Sequence, residues 1–346
     1  MSGPDGGHHG PPPGLHLYTR DGFVGQMCVA IRPHMIYEYR SVEGPHAPRR
    51  LNLARVAAAD RDDPAALPTP IATNRDGVVL SVSRRAAEMP YAFRNVECDE
   101  VHFVQAGTFD YVTDFGALRA GPGDFVAIGR TITYRVTPLD PDGLRVIVET
   151  PEVVGLAPPA PFGMVNQGRD LKRPAVTELP DGETELWLKS FDGVTRYIVP
   201  HNPLSCAKVI DGVPPVWMLN LRSIAPLAYP SAGGPPAQFA QTPTADLLLY
   251  TLSARPPAAR PPQHHNADYD ELIFYFEGPG AYGAMSEPGD MIWTPKGVTH
   301  WGPTEDVPEG YRAWLLETRG TMRLTEAALV AGGPMETGSF GPQRVG

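Results

Sequence analysis

The chain carries 346 residues and a formal net charge of −10, with no Lys/Arg-rich block beyond the isolated pairs Arg49-Arg50 and Arg84-Arg85. Phosphate recognition needs a basic footprint, so nucleic acid is excluded as a partner, and no apolar run approaches the roughly 20 residues of a membrane span. Forty prolines and 36 glycines predict many turns and few long helices, hence an all-β chain long enough for two domains.

Residues 1–15 open M-S-G-P-D-G-G-H-H-G-P-P-P-G, without a charged-then-apolar signal pattern. They are expected to form a disordered tail of a cytoplasmic protein. His8 and His9 lie in this flexible Gly/Pro stretch, which cannot pre-organise ligands, and take no role. From 16 to 150, alternating runs such as V-H-F-V and D-F-V-A-I predict a first barrel. A connecting segment over 151–230, packed on the barrels, begins with the Pro-rich V-V-G-L-A-P-P-A-P and carries the strands E-L-W-L-K and T-R-Y-I-V. The second barrel is placed at 231–325, with Leu247-Leu-Leu-Tyr-Thr-Leu as a buried strand. T-E-A-A-L-V leads into a C-terminal tail, 326–346, as the only clear helical turn. Cys28, Cys98 and Cys206 are odd in number and widely spaced, which reads as reduced core thiols rather than a disulfide framework.

The densest chemistry lies between His264 and His300. Glu271 stands seven positions after His264 and seven before Gly278, while Gly289, Pro295, Gly297 and His300 follow G-x5-P-x-G-x2-H. Two neutral imidazoles and one carboxylate on one face of a metal leave the opposite positions open for substrate and O2, as in non-haem Fe(II) oxygenases. Side chains alternate along a strand, so Ile273 and Tyr275 share the inward parity of Glu271. Gly297 supplies the turn geometry that delivers His300. His265 competes with His264 as the first ligand.

The chain also repeats itself. Phe93 to Glu100 aligns without a gap with His264 to Glu271, so that Asn95, Asp99 and Glu100 recur as Asn266, Asp270 and Glu271. Gly107 and Gly123-Asp124 recur as Gly278 and Gly289-Asp290. This register favours His264 as the ligand. It also puts Phe93 and Tyr134 where the second half has His264 and His300, and a lone Glu100 is poor at holding Fe(II). The first barrel is therefore expected to be structural, with His102 a core or pocket-wall residue.

From about residue 20 to 320 these features resemble the homogentisate 1,2-dioxygenase family of cupin ring-cleaving dioxygenases. R-N-V-E-C-D-E-V and G-P-G-D-F-V-A-I look like its degenerate first barrel, Y-I-V-P-H-N-P-L like its connecting region, and H-H-N-A-D-Y-D-E-L-I-F-Y like its H-R-N-rich metal strand. The resemblance implies a bicupin of two jelly-roll barrels that assembles as a homo-oligomer. It further implies Fe(II) held by His264, Glu271 and His300, acting on a dihydroxylated aromatic and O2. Family members carry a histidine in a P-P-x-H segment before the second barrel; here the stretch is Gly234-Pro-Pro-Ala-Gln238-Phe. Gln238 can hydrogen-bond but cannot take a proton at neutral pH, so a phenolic or related aromatic acid other than homogentisate is expected. His201 and His265 are the other candidates for proton transfer. Tyr269, Tyr275, Tyr282, Trp293 and Trp301 suit stacking on a planar ligand, and Tyr275 and Tyr282 join Gln238 and His265 as candidate catalytic residues. Two other readings are a cupin metalloenzyme of non-ring-cleaving oxidation or isomerisation, and a non-catalytic small-molecule-binding bicupin.

Overall fold

A computed structural model describes residues 14–22, 25–33, 41–157, 163–205, 210–226, 236–253, 263–278, 285–300 and 311–335. Among them the regular structure is nearly all strand, with three 3-10 turns and two short α-helices, Gln167–Asp170 and Glu326–Ala331. The expected all-β, jelly-roll class is what the structure shows. Each half opposes two sheets, of seven and six strands in the first and of eight and three in the second.

Alternation explains why the central strands are buried on both faces. In Asp99–Ala106, Glu100, His102 and Val104 point into the first barrel, and Val101 and Phe103 point out of it. In Asp270–Glu277, Glu271, Ile273 and Tyr275 point inward, and Leu272, Phe274 and Phe276 outward. The two outward faces pack on each other. Phe103 meets Phe276 and Trp314 at ring-centroid distances of 5.3 and 5.2 Å, and Phe125 meets Phe239 at 4.9 Å. The largest core thus lies between the barrels, and the sheet that carries Glu271 is clamped from behind.

The leading segments of the halves are exchanged. The hairpin of Leu15–Thr19 and Met27–Ile31 joins the second half, with Leu17, Tyr18 and Thr19 in parallel register with His264, His265 and Asn266. Arg49–Asn52 then pairs with Asp290–Thr294, also of the second half. The hairpin of Thr184–Ser190 and Gly193–Val199 does the same for the first half, placing Trp187 against Phe93 and Lys189 against Asn95. Val216–Asn220 pairs with Asp124–Ile128. The sequence boundary at residue 16 would put the first leader in the first barrel, whereas its pairing is with the second.

Each exchanged arm ends in L-N-L, at Leu51–Leu53 and Leu219–Leu221, and the two asparagines do the same work. Asn52 accepts from Ala54 N and donates Nδ2 to Asp290 Oδ1 at 2.8 Å; Asn220 accepts from Arg222 N and donates to Asp124 Oδ1 at 2.8 Å. Each caps a 3-10 turn and pins it to the conserved-register Gly-Asp turn of the opposite half.

Two expectations are corrected. Cys28 is exposed on the edge strand, where Met27, Val29 and Ile31 are exposed too, while Cys98 is buried; Cys206 lies outside the described residues. The C-terminal region is not a tail throughout, since Glu326–Ala331 is helical and Gly332–Pro334 pairs with Arg49–Asn52.

Candidate metal centre

Three separate pieces of backbone deliver the candidate ligands. His264 opens the strand His264–Asn266, Glu271 sits near the start of Asp270–Glu277, and His300 follows the turn after Asp290–Thr294. His264 and His300 exchange both backbone hydrogen bonds, each at 2.9 Å, which sets their rings side by side with centroids 4.4 Å apart. Gly297, at φ +79°, donates its N–H to Asn266 O at 2.8 Å, tying the turn to the strand that carries His264. Asp270 supports the same turn: its Oδ1 accepts from Lys296 N at 3.0 Å and its Oδ2 from Met322 N at 2.8 Å. Asp99 accepts from Arg130 N and Val154 N in the first half in the same way.

One ligand atom from each of His264, Glu271 and His300 lies within 4.8 Å of the other two, and all three residues are buried. His300 Nδ1 is held by Val298 O at 3.0 Å, which turns Nε2 toward Glu271 Oε1, 3.5 Å away. Fixing one ring nitrogen on a carbonyl is how a ligating histidine keeps its tautomer. Burial works against the Glu271 carboxylate, but His300, His264 and an Asn266 hydrogen bond bring its pKa below the ordinary value; burial likewise opposes protonation of His300, and Glu271 raises it. Two imidazoles and a carboxylate gathered in this way are a donor set that could hold a divalent first-row metal.

The other sequence candidates are elsewhere. His265, next along the strand from His264, turns to the opposite face, where its Nδ1 meets His16 Nε2 at 3.0 Å. It is not brought to the cluster of His264, Glu271 and His300. Tyr275 shares the interior but sits four residues, about 13 Å of strand, beyond Glu271; it is fully buried and its hydroxyl donates to Gly278 O at 2.9 Å. Gln238 is buried in Ala237–Gln241, three strands from Glu271 by way of Tyr250 and Leu315, and donates Nε2 to Gln241 Oε1 at 2.6 Å. Trp293 faces the inter-barrel core and donates to Asp270 Oδ2 at 3.0 Å, and Tyr269 donates to Ala245 O at 2.8 Å. His201 is exposed. Tyr282 and Trp301 lie outside the described residues.

Sequence reasoning missed the carboxyl next to the ligands. Glu317 is fully buried and pairs across strands with Glu271. Burial and the nearby Glu271 push its pKa up to about 8. A signal existed: V-I-V-E-T at 146–150 recurs as W-L-L-E-T at 314–318, so Glu317 is the repeat partner of Glu149.

No family model matches the chain. It is 24% identical over 272 residues to a protein of Saccharolobus solfataricus provisionally named a dioxygenase, covering 74% of this chain and 68% of that one. It is 25% identical over 282 residues to homogentisate 1,2-dioxygenase of Rhodopseudomonas palustris, covering 71% and 61%, and 25% identical over 271 residues to that of Bradyrhizobium diazoefficiens, covering 68% and 59%. The chain thus spans about three fifths of the length of the homogentisate dioxygenases it matches. Solved structures similar to it include a protein from Pseudomonas aeruginosa described as glyoxylate-induced (12% identity, TM-score 0.45, 85% of this chain and 98% of that one). Salicylate 1,2-dioxygenase from Pseudaminobacter salicylatoxidans is another (9%, 0.45, 83% and 90%). The resemblance read from the sequence is borne out by these curated relatives: the chain is similar to homogentisate 1,2-dioxygenases and to a protein provisionally named a dioxygenase.

Proposed function

We propose that this chain is a non-haem Fe(II) dioxygenase that inserts O2 into a phenolic or related aromatic acid. The carrying observation is the buried cluster of His264, Glu271 and His300, one carboxylate and two imidazoles in a barrel whose repeat partner lacks both imidazoles. Bound there, Fe(II) supplies Lewis acidity toward a phenolic oxygen and one-electron chemistry toward O2. The protein's own part is positional. Val298 O fixes the face that His300 presents, Asn266 occupies Glu271 Oε2, and the buried side chains of Leu248, Ile273 and Leu315 keep the interior apolar.

The substrate is proposed to differ from homogentisate, because Gln238 stands where the family's proton-transfer histidine is found. Anaerobic loading with Fe(II), metal analysis and a screen of dihydroxyphenyl acids for O2 uptake test the reading. One iron per chain with a ring-opened product supports it. Iron-loaded protein that consumes no O2 with any of them, or that oxidises the substrate without opening the ring, refutes it.

A further inference from the structure

Asn266 sits between two carboxylates. Its Nδ2 donates to Glu271 Oε2 at 3.3 Å and to Glu317 Oε1 at 3.4 Å, and its Oδ1 accepts from Thr19 Oγ1 at 2.9 Å. The amide therefore cannot flip without losing every partner it has. Glu317 is itself enclosed: Gly22, at φ +65°, closes over it so tightly that a Cβ there would lie 2.9 Å from its Oε2 and 3.1 Å from the Tyr250 hydroxyl.

The consequence falls on Glu271. With Oε2 engaged by Asn266, Oε1 is the oxygen that faces His300 Nε2. The first half shows the same division of labour. Asn95 Nδ2 donates to Glu100 Oε1 at 3.0 Å and to Glu149 Oε2 at 2.8 Å, leaving Glu100 Oε2 to face Tyr134, the counterpart of His300. The brace thus orients its carboxylate even in a half that has no ligand histidines. It is a property of the Asn-Glu-Glu constellation and not a response to a metal.

We infer that Glu317 is a positioning residue for the metal centre: by holding the Asn266 amide it presents one fixed oxygen of Glu271 to the metal. This rests on the proposed metal site and adds to it a residue that touches neither metal nor substrate.

The test is anaerobic titration of the metal-free full-length chain with Fe(II) against a chromophoric chelator. Outer-shell partners of metal ligands are typically worth 10–100-fold in affinity, so Glu317→Leu and Asn266→Ala should each weaken Fe(II) binding by about that factor. Glu317→Gln keeps an acceptor for Asn266 Nδ2 and should stay within about threefold of the parent while Glu317→Leu, of similar bulk but without an acceptor, does not, a contrast that a merely space-filling role would not give. The Asn266→Ala/Glu317→Leu double variant should lose no more than the worse single one. Wild-type affinity in either Glu317→Leu or Asn266→Ala overturns the inference, and if Glu317→Leu fails to fold, Asn266→Ala and Glu317→Gln decide it. A parent chain that binds no Fe(II) sinks the proposed function and this inference together; a parent that binds it, with unaffected variants, sinks the inference alone.

Discussion

The two halves build one polar constellation and surround it differently. In the first, Asn95 bridges Glu100 and Glu149, and Lys189 Nζ closes on Glu149 at 2.5 and 2.6 Å. Lys189 arrives on the exchanged hairpin, in register with Asn95. In the second half the same position of the other hairpin, in register with Asn266, is Thr19. Thr19 gives Asn266 a hydroxyl and brings no charge. Tyr134 and His102 meanwhile fill the ligand side of Glu100, at 2.7 and 3.2 Å, and with Asn95 they lower its pKa against the pull of burial. One barrel has satisfied its carboxylates internally, and the other leaves room for a metal.

The largest effect should come from breaking the second half. His264→Ala, Glu271→Ala or His300→Ala is expected to take metal content from one per chain to none, since two remaining ligands no longer form a site. Glu100→Gln and Tyr134→Phe should leave it at one. A second metal per chain that depends on Glu100 would show the halves to be functionally alike.

Importing the first half's solution is the next test. Thr19→Lys should set an ammonium beside Asn266 and Glu317, and at roughly 6 Å a unit charge repels a divalent cation by about 5–6 kcal/mol at an effective dielectric of 20, so Fe(II) affinity should fall by at least about a hundredfold. Unchanged Fe(II) affinity in this variant would mean that position 19 does not take the place that Lys189 holds. The reverse lesion, Lys189→Met, leaves Glu149 buried without its cation. Removing one partner of a buried pair costs about 3–5 kcal/mol, and partial exposure of Lys189 puts this case at the low end, near 3 kcal/mol by denaturant unfolding. Adding Glu149→Gln should recover most of it.

Much of this was legible in the sequence, for a physical reason. The ligands and their supports, His264, Asn266, Asp270 and Glu271, are local on two strands, and strand alternation assigns their faces without knowledge of the partners. The repeat register also favours His264 over His265. What was not legible depends on long-range pairing. Nothing local to Leu15–Thr19 or Thr184–Ser190 says that each lies on the opposite barrel, and Glu317 belongs to the site only because Arg312–Thr318 pairs with the strand of Glu271. The recurring L-N-L and E-T are the traces that both leave in the sequence.

The hairpin over the second half also carries a pH dependence. His16 lies between Arg32, whose Nε donates to its Nδ1 at 3.2 Å, and His265. Burial, then the two neighbouring cationic groups, depress its pKa from 6.5 to about 4. A histidine lowered in the fold binds fewer protons than in the unfolded chain, so its contribution is present above pH 6.5 and is lost as the pH falls toward 4. Amide exchange of Leu15–Thr19 should accelerate over that interval, and His16→Gln should remove the acceleration. An exchange rate flat from pH 6.5 to 4, after correction for intrinsic chemistry, would place the hairpin's stability elsewhere.

The smallest and most specific expectation concerns Gln238. General acid/base help is worth about 10² to 10⁴-fold when the group reaches its proton. Gln238 is buried in the same interior but three strands from the strand of Glu271, and its amide is taken by Gln241. A base there acts at a distance from the ligand cluster, which weakens its help relative to a base in direct contact. Gln238→His should therefore raise homogentisate turnover by about tenfold, below the usual range for a base in direct contact. It should also bring a rate dependence near the pKa of an imidazole that the parent lacks. Iron content should be unchanged, since the position is outside the ligand cluster. Efficient turnover of homogentisate by the parent would show that glutamine at 238 excludes nothing, and the proton would then have to pass through a group other than this one.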